Sequence, residues 1–421
     1  MAVKKYQTHH GMHDLLPDEI ATWQKLESII HDVADRHHFK EIRTPILEPT
    51  ELIARGIGQL TDIVSKEMFS FERGEDQYVL RPEGTAPVAR AYVQHSLHQR
   101  GGSQKLFYIG PFFRAERPQK GRQRQFHQFG AELIGSPDPM ADIEIISFMM
   151  DIYNEIGLTD TSLKLNSVGN PESRKQYKEA LQDYFRPHLN EMSEISQNRF
   201  ETNPMRILDS KEKEDQPIIE NAPKIADYLT PESQAHFDKV QRYLDQLGIP
   251  YELDSRLVRG LDYYTETAFE LISDQIGSQD ALGGGGRYDL LIEEVGGPST
   301  PAVGFACGIE RLLLAAEAAN LQLGTSAPLD VYIVTRGEKA REWALNNLST
   351  FRSKRLRTTM NFDGKSMKAQ MKDADRNAAR YCVIVGDDEL ETDRFTLRDM
   401  SSSEEQPYTF EDLIHTVANS K

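Results

Sequence analysis

A chain of 421 residues exceeds what one hydrophobic core ordinarily serves, so two or three domains are expected, each able to bury a substantial interior. With 38% hydrophobic residues, short apolar runs and a polar stretch from Met1 to His10, the sequence argues against a membrane-spanning segment or secretory leader; a soluble, cytoplasmic protein with no membrane partner is expected. The net charge of −17 disfavours a nucleic-acid-binding surface spread over the whole molecule, because phosphate contacts need lysine and arginine near the backbone.

In chain order, the first 325 residues read as α+β. β-rich segments at Gln77–Leu80, Leu106–Ile109, Phe126–Ile134 and Ala268–Ile272 are separated by long helices, one predicted from about Met140 to Glu155 with Gly157 as its stop signal. From about 171 to 248 the chain is polar and helix-favouring, with prolines at 187, 204, 217, 223 and 231, and reads as an inserted helical subdomain. The stretch ANLQLGTSAPLD, Ala319 to Asp330, ends a helical pattern and passes through Gly, Ser and Pro into the apolar run LDVYIVT. A domain boundary falls there. Beyond it come a helix near Lys339–Phe351, a helix near Ser366–Arg380 with Met367, Met371, Ala374 and Ala378 on one face, and a strand Tyr381–Gly386. Strands alternating with amphipathic helices predict a small α/β domain over 328–421.

Charge is unevenly placed along these elements. Residues 328–421 carry 15 basic and 16 acidic side chains, yet Arg336 to Arg380 holds 12 basic against 5 acidic, a local +7. Arg114 to Arg124 has five basic residues and one acid. Taken alone, each patch is most simply a solvated charged face. Cys307 and Cys382 lack CxxC or Cys/His spacing, so reduced thiols are expected rather than a disulfide or a structural zinc site. The histidine pairs His9-His10 and His37-His38 are adjacent rather than one helical turn apart, so no protein-only metal site is expected.

Several segments carry chemistry. LFYIGPFFRAERPQKGRQRQFHQFGAELIG, Leu106 to Gly135, reads as strand, basic loop, strand, with Arg114 near the end of the first strand. A planar guanidinium there could fork onto a phosphate and a carboxylate together, although an ordinary basic hairpin has the same pattern. The run GGGGRYD, Gly283 to Asp289, permits either a flexible turn or close backbone approach to a ligand, and lacks the context of a dinucleotide fingerprint. Tyr263 and Tyr264, on an apparent strand, would ordinarily be core. Cys307 reads as packing.

Three of these segments, in order, resemble the signature motifs of class II aminoacyl-tRNA synthetases: FKEIRTPILEPTELIARG (Phe39 to Gly56, with Pro45) for motif 1, Leu106 to Gly135 for motif 2, and PAVGFACGIERLLL (Pro301 to Leu314) for motif 3. VLRPEGTAPVARAY (Val79 to Tyr92), RLVRGLDYYTETAFE (Arg256 to Glu270), the opening HGMHDLLPDE and the glycine run are similar to histidyl-tRNA synthetases over nearly the whole chain. The resemblance implies an antiparallel-sheet catalytic core flanked by helices, with a helical insertion and a C-terminal α/β anticodon-binding domain. It implies a homodimer formed through motif 1, whose substrates are histidine, ATP with accompanying Mg²⁺, and the tRNA for histidine.

It also implies roles. Arg114 would hold the α-phosphate and the substrate carboxylate, Arg259 would approach the α-phosphate from the other side, and Arg311 would hold the far phosphates, with Glu116 and Arg122 as further ATP-site residues. Glu83, Thr85 and Gln128 would surround the ammonium group, Glu132 and Tyr264 the imidazole, Tyr263 and Tyr288 would line the pocket, and Gly84 would belong to the same histidine-binding set. Gln119 and Arg124, on the motif 2 loop, would meet the tRNA acceptor end, and the +7 region the anticodon arm. Two other readings stand beside this one: a non-catalytic regulatory subunit of ATP phosphoribosyltransferase, which typically lacks the tail domain and the motif arginines, and a class II synthetase for glycine, threonine or proline, which Glu132 and the tyrosine pair oppose.

Overall fold

The computed structural model describes residues 5–58, 61, 63–273, 281–325 and 327–420, and the chain divides into two compact units, Met1–Gly324 and Thr325–Lys421. Met1 to Lys4 of the amino-terminal stretch and Ser326 of the boundary segment lie outside the described residues. Among those described, no helix is long and apolar enough to cross a membrane.

Unit 1 has strands β1 (Lys40–Glu41), β2 (Leu47–Pro49), β3 (Phe69–Arg73), β4 (Asp76–Leu80), β5 (Gln104–Phe113), β6 (Gln125–Ile134), β7 (Ser162–Ser167), β8 (Glu252–Leu253), β9 (Thr265–Ile272), β10 (Ala281–Arg287) and β11 (Ala302–Gly308). Eight form one sheet in the order β1-β5-β6-β11-β10-β9-β7-β8, antiparallel from β5 to β7 and parallel only at the two edge pairs. β2, β4 and β3 make a small separate sheet.

Alternation along the central strands sorts the two faces. Phe129, Ala131 and Leu133 of β6 and Val303, Phe305 and Cys307 of β11 enter the main core with the helices Pro17–Arg36, Pro139–Ile156, Pro231–Leu247 and Ile309–Ala318. The intervening Gln128, Gly130 and Glu132, and Gly304 and Ala306, are left for the opposite face. That face carries a second cluster with Tyr92, Tyr108, Tyr263, Tyr264 and Tyr288.

The helices begin where sequence chemistry supplies a cap. Asp138, Asn170 and Thr230 each accept a backbone N–H of the first turn, and each precedes a proline whose missing N–H is one fewer orphan. Gly157 ends Pro139–Ile156 at φ +89°, a left-handed stop that glycine adopts without a Cβ penalty. The inserted segment has its own core of Tyr177, Leu181, Phe185, Phe200, Ile207 and Ile219, whereas Phe237, Val240 and Leu244 of its last helix, Pro231–Leu247, join the main core instead.

The glycine run is not a turn. Gly283–Gly286 lie in β10, the middle of the sheet, because the neighbours leave no room for side chains. A Cβ at Gly283 would overlap the Cys307 sulfur, one at Gly285 would overlap the Gly304 carbonyl, and one at Gly284 would lie 2.7 Å from Arg259 Nη1. The tyrosine pair likewise is not on a strand: Tyr263 and Tyr264 close a turn just before β9.

Unit 2 is a mixed sheet of β12 (Val331–Thr335), β13 (Thr358–Met360), β14 (Tyr381–Val385), β15 (Phe395–Asp399) and β16 (Glu405–Tyr408) in the order β13-β12-β14-β15-β16, parallel through the first three. The helix Glu338–Ser353 buries Ala340, Ala344, Leu348 and Phe351. The next helix stops at Arg376, earlier than its apolar spacing suggests; Ala378 follows at φ +48°, so Gln370, Ala374 and then Ala379 are buried while Ala378 is exposed. Cys307 and Cys382 are both free and buried.

Candidate active site

The site sits on the sheet face opposite the main core. A cavity of about 210 Å³ is lined by Glu83, Thr85, Arg114, Glu116, Arg122, Gln128, Arg259, Tyr263, Tyr264 and Arg311 of the expected residues, together with Glu270, Glu310 and the glycines of β10. Residues from 83 to 311 thus converge on one space.

Local chemistry explains each placement. The helix Thr85–Gln94 opens without a Ser or Asp cap; instead the Glu83 carboxylate accepts the backbone N–H groups of Thr85 at 2.7 Å and Ala86 at 2.8 Å. Pro87 has no N–H to satisfy, and the Val88 N–H makes the first intrahelical bond to Gly84. Burial raises the Glu83 carboxyl above its usual range, and the two N–H donors and Arg114 oppose that rise. Gly84 has to be glycine because a Cβ would overlap the Tyr108 ring.

Beneath Thr85 lies a closed polar cluster around Glu132, which has no exposed surface. Its Oε1 accepts the Thr85 hydroxyl at 2.8 Å and the Tyr108 hydroxyl at 3.5 Å, and its Oε2 accepts the Tyr288 hydroxyl at 2.6 Å. Burial pushes the carboxyl up to about 8 despite the donors from Tyr288 and Thr85. Gly304 makes this possible: a Cβ there would occupy the space of the carboxylate. Tyr288, expected to line the cavity, does not; it lies behind Glu132 and holds it.

The cations are held by different means. Arg259 donates from Nη1 to Glu270 at 2.6 Å, and its guanidinium lies 5.8 Å from the Tyr264 ring centroid. Arg114 donates from Nε to the Pro82 carbonyl at 3.0 Å and lies 5.2 Å from the Phe126 ring centroid. Arg311 donates to the carbonyls of Gly121 and Ala281, and burial together with the nearby charge of Arg122 lowers its proton affinity. Arg122 pairs with Glu116 at 3.0 Å. Gln128 Oε1 is a buried acceptor with no donor. Such a cationic, partly unsatisfied cavity is suited to an anionic ligand that also carries a donor group.

Gln119 and Arg124 lie away from the cavity. Gln119 is exposed at the tip of the motif 2 loop, bridged to Arg122 through both backbone groups. The Arg124 N–H donates to the Gly11 carbonyl, which ties the opening HGMHD segment to this loop. Tyr108, Gly304, Glu270 and Glu310 were not singled out from the sequence. Tyr108 gave no signal because Leu106, Phe107 and Tyr108 are all buried, which erases the alternation that marks one face. Glu310 stands beside Arg311 in motif 3 and accepts both the N–H and Nδ1 of His127.

Among the described residues no group of three His, Cys, Asp or Glu side chains could hold a metal ion. Glu270 and Glu310 nevertheless line the same cavity as Arg311.

An antiparallel sheet that sets arginines from two strand loops and a helix around one cavity, followed by a separate mixed-sheet unit, is the class II aminoacyl-tRNA synthetase fold. The family model described as histidyl-tRNA synthetase matches residues 11–312, and that described as anticodon binding domain matches residues 330–420. The chain is 47% identical over 417 residues to a histidine–tRNA ligase of Lysinibacillus sphaericus (98% of this chain, 99% of that one), and 48% identical over 409 residues to one of a Cyanothece species (97% and 95%). The crystal structure of apo histidyl-tRNA synthetase from S. aureus superposes with a TM-score of 0.83 at 38% identity, covering 98% of this chain and all of that one. A structure described as an ATP phosphoribosyltransferase regulatory subunit/histidyl-tRNA synthetase from Bacillus halodurans C shares the fold at 22% identity and a TM-score of 0.65. The chain belongs to the histidyl-tRNA synthetase family.

Proposed function

We propose that this chain activates histidine with ATP to histidyl-adenylate and pyrophosphate, then transfers the histidyl group to the 3′ end of the tRNA for histidine. The observation that carries the reading is the cavity shared by Arg114, Arg259 and Arg311, to which the buried Glu132 cluster is joined through Thr85; the first suits phosphates and the second an imidazole.

In this reading the histidine carboxylate attacks the α-phosphate and pyrophosphate leaves. Negative charge grows on the phosphoryl oxygens, and fixed cations stabilise it most when they need no reorganisation. Arg114 and Arg259 flank the α-phosphate, Arg114 also holding the carboxylate; Arg311 takes the far phosphates, and Arg122 with Glu116 completes the ATP site. The ammonium group meets Glu83, Thr85 and the unpaired Gln128 oxygen, with Gly84 leaving Tyr108 its space. The imidazole meets Glu132 and Tyr264, the Thr85 hydroxyl turning aside to open the carboxylate, with Tyr263 closing the pocket. Mg²⁺ would travel with ATP, since one or two carboxylates plus substrate phosphates are its ordinary ligands, and Glu270 and Glu310 are carboxylates of the cavity that Arg311 also lines. It would supply charge neutralisation to the leaving pyrophosphate.

Residues 1–325 are the catalytic domain with its insertion, and 328–421 bind the anticodon arm. Gln119 and Arg124 meet the acceptor end, which the exposure of Arg117, Gln119 and Lys120 on the same loop supports. A cytoplasmic homodimer formed through motif 1 fits the exposed apolar Ile46 and Leu47 of that motif. Retention of Arg114, Arg259, Arg311 and the tail unit opposes the regulatory-subunit reading.

The test is exchange of labelled pyrophosphate into ATP, which should require histidine and fail with each of the other amino acids. Arg259→His should abolish exchange with modest effect on histidine binding, because the lost interaction is made in the transition state. An intact rate in that variant would remove Arg259 from its role.

A further inference from the structure

The segment Arg259–Tyr264 is the wall between two cavities. One is the active site; the other, of about 400 Å³, opens toward the helical insertion and is lined by Arg174, Lys178, Asn203 and Arg206. The wall is turn and coil rather than helix or strand, so its partly buried carbonyls find no partners within a regular element. The insertion supplies them. Arg174 donates from Nη1 to the carbonyls of Asp262 at 3.2 Å and Tyr264 at 2.9 Å, Arg206 donates from Nη1 to the carbonyl of Arg259 at 3.3 Å, and Asn203 donates from Nδ2 to Asp262 Oδ1 at 3.0 Å. From the opposite side the Asp262 N–H donates to the Ile57 carbonyl.

We propose that Arg174 is a positioning residue for amino-acid activation: through the carbonyls of Asp262 and Tyr264 it fixes the turn that presents Arg259 and Tyr264 to the active-site cavity. Arg174 does not line that cavity, so it acts through the turn. The inference rests on the reading of Arg259 as an α-phosphate cation. It makes the inserted subdomain part of the machinery of the first step, before any tRNA is bound. Asn203 and Arg206 serve the same turn from a second point on the insertion.

The test compares full-length wild type, Arg174→Ala, Arg174→Lys and Asn203→Ala in histidine-dependent pyrophosphate exchange, with rates normalised to titrated active sites and thermal unfolding followed in parallel. A guanidinium displaced by about 1 Å forfeits roughly a hundredfold in rate, so Arg174→Ala should lower kcat per active site roughly 10- to 100-fold and leave the KM for ATP within about threefold. Arg174→Lys, whose ammonium can donate to the same two carbonyls, should recover to within about fivefold of wild type, and Asn203→Ala should show a smaller loss of the same kind. A wild-type rate per site in Arg174→Ala overturns the proposal, and so does an Arg174→Lys variant as slow as the alanine variant. If Arg174→Ala does not fold, Arg174→Lys and Asn203→Ala decide: lysine near wild type with a kcat loss in Asn203→Ala supports positioning, and an unchanged kcat in Asn203→Ala overturns it. A wild-type protein without histidine-dependent exchange would instead sink the functional reading on which the proposal rests.

Discussion

The Tyr288 hydroxyl donates to Glu132 Oε2 at 2.6 Å, and the carboxylate that receives it has no exposed surface. In the proposed reading Tyr288 therefore acts on histidine through Glu132. Tyr288→Phe should raise the KM for histidine by up to about tenfold and leave the KM for ATP near its original value, since a hydrogen bond to a carboxyl that burial keeps protonated contributes roughly 0.5–1.5 kcal/mol and, in the proposed reading, only the imidazole end of the site loses it. Pyrophosphate exchange at varied histidine and at varied ATP measures both. Equal effects on the two constants would argue against this division.

Burial pushes Glu132 up to about 8, whereas an unfolded chain releases that proton near an ordinary glutamate value of about 4.3. Between those values the folded protein binds a proton that the unfolded chain has lost, so the group's contribution favours folding at the acid end and declines as pH rises. The limiting slope is about 1.4 kcal/mol per pH unit for one proton. Glu132→Gln cannot titrate and lacks the slope. Melting temperatures of ligand-free wild type and Glu132→Gln at roughly pH 5, 6.5 and 8 should show wild type losing ground steadily to the variant. A constant difference would mean that Glu132 is ionised throughout.

Gly304 stands where any side chain would displace the Glu132 carboxylate, and a Cβ there would also lie 2.6 Å from the Ala131 carbonyl. Gly304→Ala should cost roughly 1–3 kcal/mol of stability, the usual range for overpacking, and should weaken histidine binding more than ATP binding. Chemical denaturation together with histidine titration of the folded variant gives both quantities. A variant as stable as wild type would show that the strands yield.

Salt separates the two units. Lys368 and Lys372 are exposed on the helix Met367–Arg376, within the tail's +7 region. Replacing both with alanine should weaken tRNA binding and make its logarithmic salt dependence shallower by about one for each phosphate that is no longer neutralised, while pyrophosphate exchange stays at the wild-type rate. Filter binding across a salt series reads the first effect. An unchanged slope would place the anticodon arm elsewhere.

Much of the site was legible as text. Arg114, Arg259, Arg311, Glu83, Thr85 and Gln128 belong to motifs scattered across more than two hundred positions, and all of them line one cavity. The glycine run was less legible. Composition allowed a turn or a ligand cradle, and the strand it forms follows from Cys307, Gly304 and Arg259 filling the space a side chain would need. Tyr108 and Gly304 were not legible at all, because their importance lies in what touches them across the sheet.

By itself the sequence determined the helix that ends at Gly157 and the family. These depend on local caps, hydrophobic periodicity and contiguous motifs, which survive without knowledge of long-range contacts. Only the tertiary structure decided that Tyr288 stands behind Glu132 rather than in the cavity, that Glu83 caps a helix while facing the site, and that Arg174 reaches across from the insertion to the Arg259 turn. Each is a contact between residues whose roles depend on burial or on a neighbour supplied by another element. Burial and hydrogen-bond partners are properties of the folded chain, and no spacing along the sequence encodes them.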